Sequence, residues 1–281
     1  MRASLYSRTS GLFHLAVVLI LSVFATTTFA CTTSGWAAGA VGSVNANDPT
    51  NGVSRVKGFC GLALTGTGHV MDGSPSNDPN FIGHFYFLPE FTVGPGTMKL
   101  FVAYSDEGGN AEVFSVKYDG ANVIFDATAV GGTSVSVPAD SDHWNLVEFA
   151  WHSDAMGSLW VNTDATIDPP DMTFTSGSGV VESVKLGAPE GLDGFVGKVT
   201  FDEYESRREN QVGALLIGDT NNDGEVNLFD ISATLLEIDF FNPAIQEGTA
   251  DCNKDGQVNL FDISATLLAI DFFNPIPCGS N

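Results

Sequence analysis

The sequence predicts a mainly β protein in two parts. A jelly-roll β-sandwich is expected over residues 31–210, followed by a small α-helical module over 218–281, with a short apolar connector at 211–217. Three observations predict this. Between residues 60 and 210 the chain is a succession of short aromatic and β-branched runs, separated by Gly-, Asp- and Pro-rich turns and lacking a helical period. The 31 glycines among 281 residues fit a chain with many turns. After residue 217 the pattern changes abruptly into a tandem repeat with helical spacing.

The elements follow in order. Arg2 and Arg8 form a positive start, the apolar run 15–24 is too short to span a bilayer, and Ala30 offers a small residue before Cys31. Residues 1–30 therefore read as an export signal, which places the protein outside the cell or on its surface, with no membrane span. Four cysteines, Cys31, Cys60, Cys252 and Cys278, are an even count in an exported chain, so disulfides are expected. Three pairings are open; proximity favours Cys31 with Cys60 and Cys252 with Cys278.

Strands are expected at 81–91, 98–104, 111–118, 122–127, 134–138, 145–152, 158–162, 179–186 and 195–204. Asp119-Gly120 between two of them is a hairpin signal. In the 145–152 run, Leu146, Glu148 and Ala150 alternate with Val147, Phe149 and Trp151, so the two sets face opposite ways. Asp and Glu outnumber Lys and Arg by 34 to 11, giving a formal charge of −23. A surface this acidic repels phosphate backbones, which excludes nucleic acid as a partner.

Residues 226–243 read VNLFDISATLLEIDFFNP and residues 258–275 read VNLFDISATLLAIDFFNP, differing only at Glu237 versus Ala269. A D-x-N-x-D-G loop stands before each. Calcium is a hard cation that takes six to eight oxygens, which an EF-hand-like loop supplies from alternating carboxylates, amides and a main-chain carbonyl. The expected ligands are Asp219, Asn221, Asp223, the carbonyl of Glu225, Asn227 and Asp230 for one ion. For the second they are Asp251, Asn253, Asp255, the carbonyl of Gln257, Asn259 and Asp262. Gly224 and Gly256 stand where each loop turns sharply.

The twelfth loop residue is Asp instead of Glu, and no incoming helix precedes either loop. This duplicated arrangement resembles a type I dockerin module, which implies two Ca²⁺ ions and docking onto a cohesin-like domain or other scaffold protein. It departs from that family at the tenth and eleventh loop positions, where Leu228-Phe229 and Leu260-Phe261 replace the usual Ser or Thr. Leu228, Ile231, Leu235 and Ile238 form one apolar stripe; Phe229, Leu236 and Phe240 form another, copied as Phe261, Leu268 and Phe272. One stripe is expected to make the core between the helices. The second either packs inward as well or is the partner-binding face.

The run WNLVEFAWHSDAMGSLWVNTD, with FDEYESRR later, resembles laminin-G-like and concanavalin-like sandwich domains. That implies binding of glycans or proteins, and in some members glycan cleavage. Trp36, Trp144, Trp151 and Trp160 are possible stacking platforms for polysaccharide, with Trp160 the expected ligand contact. No catalytic residue is assigned: Asp202, Glu203 and Glu205 lack the spacing of a glycosidase carboxylate pair. The reading is a non-catalytic exported protein that binds extracellular polysaccharide or surface components. The alternatives are a polysaccharide-degrading glycoside hydrolase or lyase and a structural cell-envelope protein.

Overall fold

A computed structural model describes residues 32–279, apart from 38, 48–52, 93, 95, 240–242, 272 and 274. Residues 1–30, expected as an export signal, and Cys31, Phe240 and Phe272 lie outside the described residues.

The chain forms β1 (Ala40–Asn47), β2 (Gly61–Asp72), β3 (Asn80–Thr92), β4 (Met98–Tyr104), β5 (Glu112–Tyr118) and β6 (Asn122–Asp126), followed by β7 (Ser134–Pro138), β8 (Asn145–His152), β9 (Met156–Val161), β10 (Met172–Thr175), β11 (Ser183–Ala188) and β12 (Val196–Arg207). Two helices end it, α1 (Leu228–Glu237) and α2 (Leu260–Ala269). The strand order is β10-β9-β8-β3-β12-β2-β11-β4-β5-β6-β7, with β1 along β2. β2 turns this path into a sandwich. Its first half pairs with β12 through Leu62, Ala63 and Leu64, and its second half pairs with β11 from Gly68 to Asp72, so it passes from one layer to the other.

The two layers meet through phenylalanines. Phe81 and Phe149 of the first layer lie 6.0 and 5.2 Å, centroid to centroid, from Phe101 of the second. At the far edge Phe125 of β6 stacks on Phe174 of β10 at 4.0 Å, and Thr133 N–H donates to the Thr175 carbonyl at 2.9 Å. Aromatic pairs of this kind supply both the buried area and the geometric preference that register the layers. The mainly β sandwich ending in two helices is the predicted class.

β1, β2 and β10 were not among the expected strands. β2 carries Gly61, Gly66 and Gly68, which weaken any strand signal. The glycine at 68 is required by packing, because a Cβ there would sit 2.9 Å from Ser43 N and 3.0 Å from the Val41 carbonyl of β1.

The alternation read in β8 holds: Val147, Phe149 and Trp151 join the inner core. The other face of β3 and β8 is also buried, because the connector and the C-terminal module cover it. Val56, Tyr86, Leu88, Trp144 and Leu146 form a second cluster there, with Leu215 and Ile217 of the connector against it. Val212 and Gly213 N–H donate to the two oxygens of Glu148 at 2.8 and 2.9 Å, and Leu215 N–H donates to the Tyr86 hydroxyl at 2.9 Å. Glu148 is fully buried and also meets His84 Nδ1 at 3.2 Å. A buried carboxylate persists only when its oxygens are satisfied, and here the connector's own amides satisfy them.

Candidate functional site

Each D-x-N-x-D-G loop is wound by its own amides. In the first, Asp219 accepts from Asp223 N–H and Gly224 N–H, both at 2.9 Å; in the second, Asp251 accepts from Asp255 N–H at 3.1 Å and Gly256 N–H at 2.7 Å. Asp230 reaches back to Asn221 N–H at 3.1 Å, and Asp262 to Asn253 N–H at 3.2 Å. The turn needs left-handed backbone at Asn222 (φ 59°) and Gly224 (φ 90°), repeated at Lys254 (φ 63°) and Gly256 (φ 85°).

Asn227 and Asn259, expected as metal ligands, spend their side chains on the helices. Each Oδ1 accepts from the N–H of Phe229 or Phe261 at 2.8 Å, while Asp230 and Asp262 accept from the N-cap N–H at 2.7 Å. These are two complete capping boxes. The signal was present in the sequence as Asn-x-x-Asp before a helix.

The oxygen set fits a hard dication. Among the described residues no Lys, Arg or His forms an ion pair with Asp219, Asp223, Asp230, Asp251, Asp255 or Asp262. In the second loop, burial and then the Asp262 charge push Asp251 well above the usual carboxylate range, and burial raises Asp262 to about 6. Carboxylates held together in this way lack a countercharge that a bound cation would supply. Among the described residues no three His, Cys, Asp or Glu side chains form a cluster that could hold a metal ion.

The helices bury an unexpected face. Asp230, Ala233, Thr234 and Glu237 are the inward residues of α1, and Asp262 and Thr266 those of α2. Thr234 Oγ1 lies 2.9 Å from Thr220 Oγ1 and donates to the Asp230 carbonyl at 2.8 Å. Neither leucine stripe makes the core between the helices, which corrects the reading from periodicity. Leu228, Phe229, Leu235 and Leu236 are all exposed, and so are Leu260, Phe261, Leu267 and Leu268. Phe229 and Phe261 are each 72% exposed, Leu236 54% and Leu268 50%. Small hydrogen-bonded residues occupy the inside because they brace the D-x-N-x-D-G loops against the helices, a role that hydrophobicity does not encode.

Cys252, the second residue of the second loop, is bonded to Cys278 with a Cα–Cα separation of 4.8 Å. Cys60 is also disulfide-bonded.

On the sandwich, Trp160 is only 5% exposed, packs with Ile82, Ala150 and Ala165, and donates its Nε1–H to the Asp168 carbonyl at 3.1 Å. It offers no ring face to a ligand, and Trp144 and Trp151 are buried as well. Trp36 is different: half-buried, 5.2 Å from the Tyr204 ring, it lines a cavity of about 160 Å³ with Leu62, Asp202 and Glu203. A β-bulge with Glu203 at φ 50° breaks the strand alternation expected for Asp202, Glu203 and Glu205. Asp202 accepts from Val56 N–H at 2.7 Å and Lys57 N–H at 3.1 Å; burial and the Glu203 charge push it up to about 7.

Residues 217–266 match the dockerin type I domain family. No curated protein matches the sequence. Among solved structures, the chain is similar to a cellulose induced protein, Cip1, at 10% identity and a TM-score of 0.43, covering 62% of this chain and 88% of that one. It is also similar to the receptor binding domain of botulinum neurotoxin type G, at 13% identity and a TM-score of 0.43, covering 64% of this chain. The chain spans under half the length of the botulinum chains, 45% in that case.

Proposed function

We propose that the C-terminal module binds two Ca²⁺ ions and docks this exported protein onto a cohesin-like domain of a scaffold, while the sandwich binds extracellular polysaccharide or another surface component. The observation that carries the docking reading is the exposed apolar face itself. Eight large side chains stand in solvent on two ten-residue helices, and the second four repeat the first at matching exposure. Exposed apolar patches of this kind mark interaction sites. The dockerin match over 217–266 supports a cohesin as the partner.

Calcium supplies the countercharge that holds each loop closed over its helix. Asp219, Asn221, Asp223, the Glu225 carbonyl and Asp230 would hold one ion, and Asp251, Asn253, Asp255, the Gln257 carbonyl and Asp262 the other. The reading does not require a catalytic residue. For the sandwich, Trp36 replaces Trp160 as the aromatic ligand contact, with Glu203 beside it as a hydroxyl acceptor.

Titration of the full chain with a panel of cohesin domains, in calcium and in chelator, tests the docking reading. Phe229→Ser with Phe261→Ser should weaken binding by about a hundredfold, since central apolar anchors cost about 2 kcal/mol or more when lost. Unchanged affinity in the folded double variant overturns the assignment of this face.

A further inference from the structure

The two 18-residue repeats differ at one residue, and the structure gives that residue a separate task. Glu237 lies in the last turn of α1, where a negative charge opposes the helix dipole. Its copy in α2 is Ala269. Glu237 nevertheless has its side chain almost wholly buried, ion-paired with Arg55 of the sandwich, whose side chain is buried too. The second Glu237 oxygen accepts from Gln246 N–H at 3.1 Å, and Arg55 also donates to the Gly248 carbonyl at 3.2 Å. Gly58 N–H of the sandwich donates to the Glu247 carbonyl at 3.0 Å. The sandwich therefore grips the end of the first repeat and the segment that follows it.

This grip brings the second calcium loop, and not the first, against the sandwich. Trp144 N–H donates to the Lys254 carbonyl at 2.8 Å. A Cβ added at Gly256 would meet Leu88 Cδ2 at 2.3 Å, whereas at the equivalent Gly224 it would meet nothing within 4 Å. Residues 221–225 are all exposed; of their copies, 253–256 are partly covered and 257 is exposed.

We propose that Glu237 is an orientation lock, by which the sandwich holds an almost symmetric calcium module in one of its two orientations, covering the second calcium loop and leaving the first open. A module with identical repeats offers two nearly equivalent ways to sit on the sandwich. One buried carboxylate, complementary to one buried guanidinium, makes them unequal, because the other orientation would leave Arg55 buried opposite an alanine. The covering of the second loop rests on the calcium reading only for its effect on the ion; the lock itself does not.

The test uses the full chain and Glu237→Ala, which makes the repeats identical and puts into α1 a residue that α2 already carries. Arg55→Met removes the other partner, and the double exchange Glu237→Ala/Ala269→Glu moves the carboxylate to the second repeat. In hydrogen exchange with saturating calcium, amides at 251–262 should exchange at least about tenfold more slowly than their copies at 219–230, and both single variants should abolish most of that difference. The double exchange should reverse it in part. Chelator-driven calcium release should show two phases, with Asp223→Ala removing the fast one and Asp255→Ala the slow one. Equal protection of the two loops, or a difference that neither Glu237→Ala nor Arg55→Met changes, overturns the lock. Absence of calcium binding with the exchange asymmetry intact overturns the calcium reading and leaves the lock standing.

Discussion

The two loops share their D-x-N-x-D-G pattern, capping box and left-handed turn, yet they occupy different surroundings. The first stands in solvent over an exposed helix. The second is wedged between Leu88, Trp144 and a disulfide to Cys278. The local sequence sets the shape of each loop, because every bond that winds it runs within twelve residues. What surrounds the second loop is set by Leu88 and Trp144, more than a hundred residues away, and by Cys278, 26 residues further on. Near-identical sequence thus yields two loops that differ in burial.

Removing calcium should erase the comparison altogether. Chelation should melt α1 and α2 together while β1–β12 persist, seen as loss of the helical circular dichroism signal with near-ultraviolet aromatic bands retained. A helical signal unchanged in chelator would contradict the metal reading.

Arg55→Met should act on the side of the second loop. Stranding Glu237 without its partner should cost about 3–5 kcal/mol of module stability in calcium, measured by denaturant unfolding. The double variant Arg55→Met/Glu237→Ala should recover part of it.

Reducing the Cys252–Cys278 bond should loosen the second loop and spare the first. A bridge closing 26 residues contributes about 3 kcal/mol in the chain-entropy picture. Hydrogen exchange with and without reductant, after alkylation, locates the effect.

The glycine pair gives the finest test. Gly224→Ala should cost about 1 kcal/mol for left-handed backbone alone. Gly256→Ala carries the same backbone cost plus about 1–3 kcal/mol for displacing Leu88. Equal losses would mean that the second loop does not press on the sandwich.

Much of this was legible in the sequence, and the misses have physical causes. The strands from β3 to β9 announce themselves through aromatic runs and turn residues. β2 does not, because the glycines that let β1 approach it also weaken its strand signal. The D-x-N-x-D-G loops are legible because Asp, Asn and Gly at fixed spacing have few other uses together. The helix core was misread because periodicity ranks leucine above threonine, whereas Thr234 and Thr266 are inside on account of their hydrogen bonds. Trp160 was misjudged because strand alternation says which face a side chain takes, not whether another segment covers that face.

The sequence by itself determined the two loops, their caps, the sandwich class and the repeat, since each depends on chemistry within a few residues or on a simple period. Only the tertiary structure decided that Glu237 differs from Ala269 for a reason, that Glu148 is satisfied by the connector, and that one loop is covered while its copy is open. Those facts depend on which distant groups meet, and burial, ion pairing and desolvation are properties of that meeting instead of any local pattern.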